Sequence, residues 1–132
     1  SRPQRAKHDG GYLAAGRTKS EAARIVEDAI RLEDAGACLL LIEATPAEVS
    51  EEIVRRTSVP VIGCGAGPAC HGQIVVTQDI FGLTEWQPAF AKPVADIASA
   101  MQAAAIRWKT MVTAADLGEH PYTMVDETQN AT

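Results

Sequence analysis

Cysteine is scarce: Cys38, Cys64 and Cys70 are the only three in 132 residues. An odd number in a chain of this size gives no disulfide framework, and a reducing cytoplasm is the compartment expected from it. Positive charge is also in deficit. Twelve Lys and Arg stand against 17 Asp and Glu, a formal net charge of −5, which argues against general affinity for nucleic acid or acidic lipid. No apolar run approaches the ~20 residues that span a bilayer, and Ser1 opens no signal-peptide pattern. Internal repeats and low-complexity tracts are missing too. The expectation is a soluble chain of single-domain size, and its 46% hydrophobic residues can supply a substantial core.

The apolar residues are ordered in a readable way. Residues 1–17 are polar, glycine-bearing and irregular, so they read as a loop. Thr18 and Glu21 have capping-box spacing, and Ala22, Ile25, Val26, Ala29, Ile30 and Leu32 continue as a helical stripe that Gly36 stops. Ala37 to Ile42 is an unbroken apolar run, the pattern of a strand buried on both faces, and it places Cys38 in the core as a small buried thiol. Thr45, Pro46 and Glu48 predict a second helix, with Thr45 as its cap and Pro46 at its first position, running to about Arg56. Glu51, Glu52, Arg55 and Arg56 read as its solvated face. "SVPVIG" predicts a strand, "GCGAGPACHG" its loop, and "QIVVTQDIFG" another strand leading into a turn. A long helix carrying Ile97, Ala100, Met101, Ala104, Ala105 and Trp108 ends before Gly118, and the polar tail after it is expected to fray.

Helices alternating with short buried strands predict a parallel α/β fold. Three such strands would leave two open edges and incompletely covered faces, and a (β/α)8 barrel needs roughly 250 residues. The pattern is that of about half of a larger fold.

Functional groups in parallel α/β proteins gather at the carboxyl ends of the strands. Glu43 ends the first strand there. A carboxylate partly desolvated by Leu41, Ile42 and the core beyond would gain general-base strength, although a helix-capping or loop-pinning acid fits the same position. Gly63, Gly65 and Gly67 occupy the same end of the next strand, where backbone can approach a ligand and present N–H groups. Their spacing matches neither the dinucleotide fingerprint nor the phosphate loop. Lys7, His8 and Asp9 form a charged triplet in the opening loop. Cys64, Cys70 and His71 fit no common zinc spacing.

Several separated segments resemble the ketopantoate hydroxymethyltransferase family: "GGYLAAGRT", "LEDAGACLLLIEATPAEV", "VPVIGCGAGPACHGQIVV", "DIFGL" and the closing "GEHP". The resemblance covers nearly the whole chain, in order. It implies a (β/α)8 barrel related to the phosphoenolpyruvate mutase and isocitrate lyase group. It also implies transfer of a hydroxymethyl group from methylenetetrahydrofolate to 2-oxoisovalerate, for pantothenate synthesis. On this resemblance Mg2+ holds the keto acid and its enolate, and Glu43 is the base that removes the C3 proton. Gly63, Gly65 and Gly67, with Lys7 and His8 of the opening loop, fall around the substrate. Lys7 stands where the family has histidine, with His8 one place later, and Ala69 and His71 replace acids of the glycine loop.

The family's metal-binding carboxylates lie in the other half of the barrel, so no metal ligand is expected in this chain. The resemblance therefore implies that residues 1–132 form a carboxyl-terminal half-barrel, with 1–17 as active-site loop, 18–117 as βα units and 118–132 as tail. Another chain would complete it, within a larger cytoplasmic oligomer that binds neither nucleic acid nor membrane. Two alternatives remain: a divergent 2-oxo acid lyase or aldolase of the same superfamily, and a non-catalytic remnant that regulates a full-length homologue through its sheet edge.

Overall fold

A computed structural model describes residues 14–124. Helix α1 (Lys19–Asp34) leads to strand β1 (Leu40–Glu43), helix α2 (Ala47–Arg56) and strand β2 (Val61–Cys64). Strand β3 (Gly72–Gln73), the short helix α3 (Thr77–Ile80) and the long helix α4 (Ile97–Thr113) follow. The strands form one parallel sheet in the order β1-β2-β3.

Local chemistry accounts for the boundaries. Thr18 Oγ1 accepts from the Glu21 amide at 3.3 Å and the Glu21 carboxylate accepts from the Thr18 amide at 3.4 Å, closing the capping box of α1. At the other end Gly36 takes φ +98°, and the Ala37 amide returns to the Leu32 carbonyl at 2.9 Å. Helix α2 starts differently from its sequence pattern. Pro46 is its cap residue and no side chain caps it. The Thr45 hydroxyl instead turns back to donate to the Glu43 carbonyl at 3.0 Å, so it pins the end of β1. Glu52 pairs with Arg55 at 2.6 Å and Arg56 at 3.6 Å on the solvent side of α2.

The core lies on one face of the sheet. Val26 and Ala29 of α1 and Val49 and Ile53 of α2 pack on Leu40, Ile42 and Val61, joined by Ala66. Burial along β1 alternates, so Leu40 and Ile42 are covered while Leu41 and Glu43 are not. Leu39 is 49% exposed and Leu41 53%. The expectation of burial on both faces is therefore corrected: α1 and α2 shield one face, and among the described residues nothing shields Leu39 and Leu41. Cys38 is exposed rather than buried, because it sits in the bend before the paired part of β1.

The third strand is also shorter than expected. Only Gly72 and Gln73 pair with β2, and Ile74, Val75 and Val76 run on exposed into α3. Helix α4 buries none of its residues, and Met101 and Trp108 on its apolar side are 61% and 59% exposed. No helix among the described residues is long and apolar enough to cross a membrane.

Candidate active site

Parallel pairing places the carboxyl ends of all three strands on one edge. Glu43 ends β1, and its register partner on β2 is Cys64. The next residue, Ala44, takes φ +49°, a left-handed conformation that costs a non-glycine residue about 1 kcal/mol or more. Its backbone is held on both sides: its amide donates to the Cys64 carbonyl at 2.9 Å, and its carbonyl accepts from the Ala15 amide at 3.2 Å. The strained turn swings the chain into α2 and leaves the Glu43 side chain on the unshielded face.

Glu43 is exposed. The desolvated carboxylate expected from the apolar run is not what these residues create, because α1 and α2 cover the other face of the sheet and nothing among the described residues covers Leu41 and Glu43. Its carboxylate accepts no hydrogen bond from the described residues. Beside it, Cys64 is buried, and burial pushes its thiol up, with the charges of Glu43 and Asp79 adding to the effect. Cys64 is therefore a protonated, unreactive neighbour of the carboxylate at neutral pH.

The glycine loop has a structural explanation at each position singled out. A Cβ on Gly63 would lie 2.9 Å from the Cys70 sulfur, and one on Gly65 would enter the Phe90 ring at 2.3 Å. On Gly67, at φ +82°, it would lie 2.5 Å from Ala47 Cβ and 2.8 Å from Ala47 Cα. The loop thus closes over the start of α2. Gln73 Nε2 pins it by donating to the Gly67 carbonyl at 2.9 Å. His71 is structural as well: its Nδ1 accepts from the Val61 amide at 3.0 Å, and its own amide donates to the Val61 carbonyl at 2.9 Å. An open cavity of 490 Å3 lies between residues 65–68, residues 73–75 and Phe90, without Glu43 in its wall.

Gly67→Ala tests this packing. Phe90 can move aside for a methyl on Gly65, but the backbone of Ala47 cannot for one on Gly67. The substitution is expected to lower stability by about 2–4 kcal/mol, from the positive φ and the overlap together. A lowered urea midpoint would register it; an unchanged midpoint would show that the loop does not close on α2.

Glu43, Gly63, Gly65 and Gly67 are brought to one edge of the sheet, whereas Lys7 and His8 lie outside the described residues. Sequence reasoning missed Asp79, buried in the first turn of α3 and close enough to act on Cys64. Its signal was an acid set between the apolar residues 74–76 and 80–81. Among the described residues no three His, Cys, Asp or Glu side chains converge to hold a metal ion. The donor set here does not fit a divalent cation by itself.

Comparison with known proteins matches residues 1–120 to the ketopantoate hydroxymethyltransferase family. A 3-methyl-2-oxobutanoate hydroxymethyltransferase of Hyperthermus butylicus is 47% identical over 102 residues, covering 77% of this chain and 35% of the relative. The enzyme of that name from Pyrobaculum aerophilum is 43% identical over 119 residues, 90% of this chain and 44% of the relative. One from Maricaulis maris is 40% identical over 111 residues, 84% and 40% respectively. The chain thus spans less than half the length of these relatives. Motif order and the match over most of its residues lead to one assignment: the chain belongs to the ketopantoate hydroxymethyltransferase family.

Proposed function

We propose that this chain supplies the carboxyl-terminal half of a (β/α)8 barrel that transfers a one-carbon unit to 2-oxoisovalerate, yielding ketopantoate for pantothenate synthesis. Glu43 is the base. The observation that carries this reading is its position: a carboxylate at the carboxyl end of a parallel strand, on an apolar sheet face that α1 and α2 leave open. Glu43 takes the C3 proton of the keto acid. C3 then bonds to the one-carbon unit, which ends up bearing a hydroxyl supplied by water as its bonds to the folate nitrogens break and tetrahydrofolate leaves. Methylenetetrahydrofolate is the proposed donor.

A complementing half-barrel, on this polypeptide or another, covers Leu39 and Leu41 and excludes water from Glu43. Closure then gives the carboxylate the desolvation that raises base strength. Mg2+ would polarise the keto acid when bound, and the family resemblance assigns its ligands to the complementing half. Gly63, Gly65 and Gly67 shape the loop beside the substrate, with Lys7 and His8 of the opening segment as further substrate contacts. The assembly is a cytoplasmic oligomer.

The reading is tested by proton exchange. The assembled protein should exchange the C3 hydrogen of 2-oxoisovalerate for deuterium in heavy water without the one-carbon donor. Failure to exchange would overturn the proposed chemistry.

A further inference from the structure

Asp79 is 9% exposed, one of three buried polar or charged residues among those described. The other two have partners within the chain: Thr45 Oγ1 donates to the Glu43 carbonyl, and Ser50 Oγ to the Pro46 carbonyl at 3.4 Å. The Asp79 carboxylate has none among the described residues. Among the described residues no buried side-chain oxygen or nitrogen is both fully occluded and unpaired, so the Asp79 oxygens reach the small open part of its surface. A carboxylate so covered is costly unless a donor meets it there.

Its place is well defined. The Ile74 amide donates to the Gly63 carbonyl at 2.9 Å, which fixes the segment entering α3 beside β2. The far side of α3 is tied down by Val94 to the Ile80 carbonyl at 2.9 Å and Ile97 to the Phe81 carbonyl at 3.0 Å. Asp79 is thus held at the carboxyl end of the sheet, the edge where Glu43 lies, and the charges of both act on Cys64. The salt-bridged arginines among the described residues pair elsewhere, Arg31 with Glu27 and Asp28, Arg55 and Arg56 with Glu52. So little open surface admits one side-chain tip rather than a substrate.

We infer that Asp79 is a positioning contact, whose buried carboxylate accepts a hydrogen bond from a lysine or arginine of the complementing half and fixes that half against the carboxyl end of the sheet. The inference rests on the half-barrel reading above. The net charge of −5 favours a basic counterpart.

The test measures, by size-exclusion chromatography over a dilution series, how tightly this chain is held in its natively purified assembly with the complementing half. Removing one partner of a buried charge pair is expected to weaken binding at least about 30-fold in Asp79→Asn. Asp79→Glu should recover part of the loss, and circular dichroism of the free Asp79→Asn chain should be unchanged. Leu41→Asp, which spoils the open face directly, checks the underlying reading. Weakening by Leu41→Asp but not by Asp79→Asn would overturn the Asp79 contact and leave the half-barrel reading standing. No binding by the unsubstituted chain, or no effect of either substitution, would overturn both. A loss in Asp79→Asn that appears only with 2-oxoisovalerate present would show that Asp79 acts through the bound ligand and overturn the direct contact between halves.

Discussion

Glu43→Gln is expected to lower C3 hydrogen–deuterium exchange of 2-oxoisovalerate by about 10²–10⁴-fold in the assembled protein, the usual contribution of a positioned base. The amide keeps the shape of the side chain and cannot accept the proton. Because Glu43 is exposed and its carboxylate holds no described residue by a hydrogen bond, the substitution should leave the fold of this chain unchanged. Glu43→Asp keeps the carboxylate but withdraws it by one methylene, and a misplacement of about 1 Å alone can cost about 100-fold. The ordering Glu, Asp, Gln in exchange rate, with equal assembly, is the signature of a base. Equal exchange in Glu43→Gln would assign proton removal to another group.

Leu41→Asp separates folding from assembly. Leu41 is 53% exposed, so a charge there should cost the isolated chain less than about 1 kcal/mol in urea unfolding. If a second half covers this face, the same charge is buried without a partner, a penalty of several kcal/mol that should abolish assembly in size-exclusion chromatography. Ile42→Asp is the counterpart one residue on. Ile42 is 8% exposed beneath α1 and α2, so its substitution should unfold the isolated chain outright. An unaffected assembly in Leu41→Asp would mean that the open face meets solvent in the working protein.

The parts of the fold legible in the sequence are those set by local chemistry. Thr18 and Glu21 form the capping box that their spacing predicts, and Gly36 ends α1 because only a left-handed residue completes that cap. The β1 and β2 runs and their parallel pairing followed from the alternation of elements. The failures arise where the spacing pattern does not decide which of several available partners a group takes. Thr45 had the right type and spacing for a cap, but the Glu43 carbonyl took its hydroxyl. The apolar run at 37–42 signals a strand buried on two sides, and only one of those sides is built by these residues. Strand β3 pairs over two residues only, although β2 runs one residue further and apolar sequence continues to Val76. At the site, Glu43 was legible from the end of its run. Asp79 was not, since its burial depends on how α3 is tied to residues 94–97. The glycines were visible as a cluster, but their packing against Cys70, Phe90 and Ala47 was not.

Intact mass spectrometry of the natively purified assembly tests the half-barrel account most directly. The account predicts that this sequence occurs with a complementing half-barrel, either as a second polypeptide in equal number or within one longer chain. Particles containing only copies of the 14.0 kDa chain would contradict it and favour a non-catalytic, regulatory role.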